Sequence, residues 1–375
     1  MIYLDNNSTT ELDPRVFQAM YHEFHGAPSN PSSTHFLGQN AANALIRARS
    51  TIAAYLKKKP EEIIFTSGGT EAINLAIRGL LEGKKEGHIL SSNVEHSAVY
   101  ETLLTFKKKG FTLDLLHAGE EGSISPQKIK DKITPSTQLI ALSWANNETG
   151  VKNDILGIAE IAKKTKVPLV VDAVAFMGKE LLEIPDGVTA LAAAAHKFHG
   201  PKGIGFLYLS SHASLTPLFT GGPQEYGKRA GTQNLEGIIG LGKAVELLNQ
   251  ELPEKSNHME DLRDHFEKEL MKNLTGVWVN GSGERTVNTS NLYFEEVDGE
   301  DLLLNLDLAK LAASHGSACL SGSLEPSRVL VGMGFPMARV KSSLRFSLSR
   351  NTTRDEIDKA VEIITETVKK LRKLG

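Results

Sequence analysis

The chain has 375 residues, enough for two domains and a sizeable core. Hydrophobic residues make up 40% and charged residues 23%, and the net charge of −3 calls for neither nucleic acid nor an anionic membrane. The single cysteine excludes an intrachain disulfide and an all-cysteine metal site, and suits a reducing cytoplasm.

The N-terminal Met1-Ile-Tyr-Leu-Asp5 has neither a basic stretch nor a long apolar run, so no signal peptide is expected. No uncharged apolar run approaches the ~20 residues of a membrane span. Leu45, Ala48, Ile52 and Leu56 share one face of a helix. Apolar runs then predict strands at 63–66, 89–91, 112–116, 139–143, 167–171, 189–193 and 204–209. Most lack polar alternation, as strands buried on both faces do, and helical patterns separate several of them. This predicts an α/β layer structure around a mostly parallel seven-stranded sheet. The character changes after about residue 250. A long charged helical pattern covers 250–272, and strands are expected at 276–279, 291–295 and 342–348, in a smaller α+β unit. Thr353 and Glu356 form a capping box for a last helix whose apolar face is Ile357, Val361, Ile364, Val368 and Leu371. The expected large domain is 12–253, and the small one combines 1–11 with 254–375.

His196-Lys197 follows a buried run and precedes a glycine-rich turn. A lone lysine there is usually a surface residue, but a partly desolvated one suits a Schiff base. Asp172 ends an apolar strand, where open α/β sheets bind ligands, and a carboxylate there can hold a pyridinium nitrogen protonated. By itself such an aspartate is more often a cap or turn residue. In Phe65-Thr-Ser-Gly-Gly-Thr-Glu-Ala72 a strand runs through a small-residue turn into a helix, and Gly68, Gly69 and Thr70 let a phosphate approach the helix start. His96 follows a short strand and could stack on a flat ring and shuttle protons. Asn147 follows another strand and could offer an amide to the ring. Cys319 lies among Gly and Ser, the composition of a mobile loop, although a lone cysteine is usually a small buried hydrophobe. Arg345, in a strand pattern, suits an amino-acid carboxylate or, alternatively, a surface ion pair.

Together these segments resemble cysteine desulfurases of the nitrogen-fixation and iron–sulfur-cluster type (NifS/IscS-like) in the class V aminotransferase group. The resemblance spans Tyr3-Leu-Asp-Asn-Asn7, Asn30-Pro-Ser-Ser-Thr-His35, Ser67-Gly-Gly-Thr-Glu71, Glu95-His96, Asn146-Asn-Glu148, Val171-Asp-Ala173 and His196-Lys-Phe-His-Gly-Pro-Lys-Gly203. It continues through Arg229-Ala-Gly-Thr232, Gly316-Ser-Ala-Cys319, Glu325-Pro-Ser327 and Arg345-Phe-Ser-Leu348. It implies pyridoxal-phosphate fold type I, a cytoplasmic homodimer and L-cysteine as substrate. Lys197 would hold pyridoxal 5'-phosphate and move protons, Asp172 would pair with the ring nitrogen, and His96 would stack and act as acid/base. Gly69, Thr70 and His196 would contact the phosphate, with Thr232 reaching it from the other subunit. Asn147 would sit by the ring hydroxyl and the substrate, Arg345 would bind the substrate carboxylate, and Cys319 would take the sulfur as a persulfide. The sulfur would pass to an acceptor or iron–sulfur scaffold protein. The chain stops soon after its last helix, so a shortened scaffold-docking tail is expected. No metal site is expected.

Two positions depart from the family pattern. Ala175 replaces the usual Gln that donates to the ring oxygen, and Ala194 replaces the usual Ser on the phosphate. Each loss is expected to weaken cofactor binding by roughly 0.5–1.5 kcal/mol. A selenocysteine lyase or an aminotransferase is the nearest rival reading, with Cys319 favouring sulfur transfer. A non-catalytic member of the fold is another, motivated by the two alanines. A nucleotide-binding loop at Gly237–Lys243 fails because Ala244 stands where Ser/Thr is required and the segment reads as helix.

Overall fold

The computed structural model describes residues 1–316 and 326–374. The N-terminal part contains β1 (Ile2–Tyr3), α1 (Pro14–Phe24), α2 (Phe36–Tyr55), β2 (Ile63–Thr66), α3 (Gly69–Leu81), β3 (His88–Ser92), α4 (Ser97–Lys108) and β4 (Thr112–Leu116). The middle contains α5 (Pro126–Lys132), β5 (Thr137–Ser143), α6 (Ile155–Thr165), β6 (Leu169–Asp172), β7 (Val188–Ala194), β8 (Gly205–Leu209) and α7 (Leu235–Asn273). There follow β9 (Val277–Val279), β10 (Thr289–Phe294), α8 (Gly299–Leu308), β11 (Leu311–Ala312), α9 (Arg328–Gly332), α10 (Met337–Lys341), β12 (Ser343–Ser347) and α11 (Arg354–Leu374).

Seven strands form one sheet in the order β2-β8-β7-β6-β5-β3-β4. Only β8 runs against its neighbours, so β2, β3, β5, β6 and β7 all end at the same edge. The reason lies in composition. Runs such as Leu-Val-Val in β6 and Ala-Leu-Ala-Ala in β7 are apolar on both faces, and both faces are covered. One face packs on Leu45, Ile52, Ile158, Ile238 and Leu241, from α2, α6 and α7. The other packs on Ile73, Ile77, Val99 and Leu103, from α3 and α4.

A separate apolar cluster joins Leu262, Phe266 and Leu270 of α7 to Phe294, Phe346, Ile357 and Ile364. It surrounds the antiparallel sheet β12-β10-β9. The expected capping box forms, with the Thr353 N–H donating to Glu356 Oε2 at 2.8 Å and the Glu356 N–H to Thr353 Oγ1 at 3.3 Å. The helix expected from residue 250 starts at Leu235, so residue 253 falls inside α7. Its first half packs on the large sheet and its second half on the smaller cluster. Among the described residues, no helix is long and apolar enough to cross a membrane.

Candidate active site

The site is built where strands end. After β2 the chain turns through Ser67, Gly68 and Gly69 into α3. Gly68 has φ +154°, and a Cβ on Gly69 would meet Val174 Cγ2 at 2.6 Å, so the turn needs glycine at both positions. No side chain caps α3. The first-turn N–H groups and the positive end of the helix dipole suit an anion such as phosphate. Gly69 and Thr70 line a cavity of about 330 Å³ together with His96, Asn147, Asp172, His196, Lys197 and Arg345.

Asp172 closes β6 and is buried. Its Oδ1 accepts from the Val174 N–H at 2.9 Å. Burial pushes its pKa up, while the charges of His96 and Lys197 pull it down. A protonated ring nitrogen against this carboxylate would favour its ionised form. Lys197 follows β7 by one 3₁₀ turn, Ala195–Lys197. Its Nζ donates to the carbonyls of Asn7 at 2.5 Å and Ser8 at 2.9 Å. The carbonyl of Lys197 accepts from Nζ of buried Lys179 at 2.8 Å. Burial, with Lys197 and Arg350 nearby, pushes the Lys179 amine down to about 7.

His196 shares a 3.1 Å hydrogen bond with Thr9 Oγ1 through Nδ1. Burial, then the charges of Lys197, Lys202 and Lys179, push it down to about 4, which keeps it neutral near pH 7. His96 caps α4, its Nδ1 accepting from the Ala98 N–H at 3.1 Å, so Nε2 carries the proton of the neutral ring. The Asn147 carbonyl accepts from Arg345 Nη1 at 2.9 Å and Asn7 Nδ2 at 3.2 Å. Arg345 is only 1% exposed, and its Nη2 donates to Asp5 Oδ1 at 2.6 Å.

These residues fit pyridoxal phosphate: an uncapped helix start for the phosphate, a buried carboxylate for the ring nitrogen, and a lysine for the carbonyl carbon. Ala175 and Ala194 line the same cavity, so the two missing donors face it. Thr232 is not among its lining residues. It is exposed, in a separate hollow of about 180 Å³ beside Ser67 and Arg229. Cys319 lies outside the described residues, but both ends of the segment that carries it are fixed near the cavity. Ser314 exchanges backbone hydrogen bonds with Arg345 at 3.1 and 2.7 Å. Ser327 Oγ donates to Glu148 Oε2 at 2.5 Å.

Asn7 and Ser8 line the cavity without having been assigned a role from sequence. The N-terminal motif, which ends at Asn7, was the only signal for Asn7, and Ser8 had none. They arrive because the Asn6 N–H donates to the Ser347 carbonyl at 3.1 Å, tying the chain's start to the end of β12.

A family model described as "Aminotransferase class-V" matches residues 2–360. A cysteine desulfurase IscS of Dictyoglomus turgidum is 40% identical over 378 residues, covering 100% of this chain and 96% of the relative. A solved structure named "NIFS-LIKE PROTEIN" superposes with a TM-score of 0.91 at 32% identity, covering 97% of this chain and 98% of that one. Another, "SspA in complex with cysteine", gives a TM-score of 0.83 at 32% identity, covering 94% and 100%.

Proposed function

The chain belongs to the class V aminotransferase family and is a cysteine desulfurase, and from that premise we propose that it holds pyridoxal phosphate on Lys197 and carries sulfur from L-cysteine as a persulfide on Cys319. What supports the reading is one observation: the shared edge of the sheet gathers Thr70, His96, Asp172, His196 and Lys197 around a single cavity that Arg345 also lines. Gly69, Thr70 and His196 hold the phosphate. Asp172 holds the ring nitrogen's proton, and Asn147 faces the ring and the substrate. When bound, the cofactor supplies an electron sink for charge developing on the substrate.

The chain's own groups do the rest. Arg345 orients the substrate carboxylate, leaving the sulfur to be met by Cys319. Lys197 and His96 move protons at the substrate, His96 through Nε2. The Cys319 thiolate attacks the substrate sulfur. A sulfur–sulfur bond forms, the carbon–sulfur bond breaks with its electron pair left on carbon, and protonation there gives L-alanine. The persulfide then passes to an acceptor thiol, in iron–sulfur cluster assembly or related sulfur traffic, in the cytoplasm. The solved relative named with bound cysteine supports the substrate class. A homodimer completes the phosphate site through Thr232 of the second copy.

Cys319→Ser tests the reading. It should keep the cofactor's visible absorbance and its change on adding L-cysteine. It should make little alanine or sulfide and carry no persulfide detectable by mass spectrometry. Desulfuration at the parent rate would remove Cys319 from the reaction.

A further inference from the structure

Arg345 is the largest fully buried side chain among the described residues, yet its hydrogen bonding is incomplete. Nη2 donates to Asp5 Oδ1 at 2.6 Å and Nη1 to the Asn147 carbonyl at 2.9 Å, while the buried Nε has no hydrogen-bond partner among the described residues. A buried N–H of a cation left without an acceptor is costly, and Arg345 lines the cavity. An incoming carboxylate answers that need.

Asp5 is itself fixed. It forms an isolated bridge with Ser347, two residues beyond Arg345 on the same strand, and the next residue, Asn6, donates through both its backbone and its side chain to the Ser347 carbonyl. The main chain on either side of the Asp5 carboxylate is therefore held against the strand that carries the arginine. A long arginine side chain pays rotamer entropy to stay in one place unless something holds it. Here two acceptors from different parts of the chain grip its two terminal nitrogens and set the plane of the fork.

We propose that Asp5 is a positioning residue for substrate recognition: with the Asn147 carbonyl it sets the orientation in which Arg345 meets the carboxylate of the amino-acid substrate, and so gives the site its preference for a ligand that has one. The proposal rests on the reading of Arg345 as the carboxylate-binding residue. Asp5 does not touch the substrate and is not displaced by it.

The test compares two inhibitors of the holoenzyme, L-alanine and ethylamine, which differ by the carboxylate. Asp5→Ala should weaken L-alanine about tenfold, the order of one misdirected charge-assisted hydrogen bond, while ethylamine stays within about twofold. KM for L-cysteine should rise more than kcat falls. Asp5→Asn, which keeps an acceptor oxygen in place, should recover most of the selectivity. Should Asp5→Ala not fold, Asp5→Glu displaces the oxygen while keeping the charge and should show the same selective loss. Tighter L-alanine binding in Asp5→Ala would show that Asp5 competes with the substrate, and overturn the proposal. Equal weakening of both inhibitors, or no change in either, would overturn it too. Arg345→Lys separates the two levels. If it loses selectivity while every Asp5 variant keeps it, Asp5 alone is wrongly assigned. If it weakens both inhibitors equally, the reading of Arg345 fails and takes the proposal with it.

Discussion

At the scale of single residues, Glu95 shows how burial becomes pH dependence. Its carboxyl is fully buried, accepting from Ser92 Oγ at 2.5 Å and from the Ser143 N–H at 2.7 Å. Burial, with Asp172 nearby, pushes its pKa up to about 7. A folded-state pKa above the unfolded one stabilises fully below the unfolded value and is lost as pH rises through the folded one. Glu95→Gln removes this titration. Its stability relative to the parent should rise by roughly 3 kcal/mol between pH 4.5 and 7 and then level off. Denaturant midpoints measured across that range check it, and a difference independent of pH would contradict it. The two alanines in the cavity make a second prediction. Restoring Ala175→Gln and Ala194→Ser should each tighten the cofactor by about 0.5–1.5 kcal/mol, the worth of one added hydrogen bond. Equilibrium dialysis of released cofactor measures this. No tightening in either variant would mean that other groups or water already serve those atoms.

Among the elements, α7 carries the plainest local conflict. Pro253 lies inside this helix, where it cannot donate to the carbonyl four residues earlier. It is exposed and lies outside the Lys197 cavity. Pro253→Ala should therefore stabilise the chain by about 1–3 kcal/mol with KM unchanged, read as a higher denaturant midpoint at constant slope. The same helix marks where the sequence could and could not be read. Its charged half showed a helical period and the segment with Gly237, Gly240 and Gly242 read as helix as well, but the glycines hid that both belong to one element. Those glycines are there for packing: a Cβ on Gly242 would meet that of Ala48 at 2.8 Å, and one on Gly240 would meet Met20 Sδ at 2.7 Å. The strands were legible because burial on both faces leaves unbroken apolar runs, and the expected 63–66 is the observed, fully buried β2. Asp172, Lys197 and Thr70 were legible for the same reason, as polar residues just past such runs. Asp5, Asn7 and Ser8 were not. Asn7 and Ser8 reach the cavity, and Asp5 reaches Arg345, through pairing with a strand more than three hundred residues away, as in the bridge from Asp5 to Ser347, and no local pattern encodes that pairing. Lys179 was hidden too, because a buried lysine looks like a surface one until its neighbours are known.

For the whole molecule, two features point to a second copy of the chain. Phe17 and Phe24 on α1 and Phe36 and Ile46 on α2 are 53%, 63%, 72% and 55% exposed, large apolar side chains left in solvent on two helices that both pack on α7. Thr232 stands outside the cavity formed by its own chain. In a two-fold dimer each protomer gives its partner what it receives, so both sites would be completed by the same contact. Light scattering should give twice the 40.8 kDa chain mass. Subunit mixing tests the sharing directly. Lys197→Ala lacks the cofactor lysine, and Thr232→Asp places a negative charge where the phosphate is expected, so each homodimer should be nearly inactive. A mixed dimer pairs the intact Lys197 of one chain with the intact Thr232 of the other at one of its two sites. Random exchange makes half of the dimers mixed, so about a quarter of all sites should recover. That recovery requires Thr232 to act across the interface. Were Thr232 to serve its own chain, every site in the mixture would carry one defect and no activity would return. A catalytically competent monomer would equally overturn the shared site.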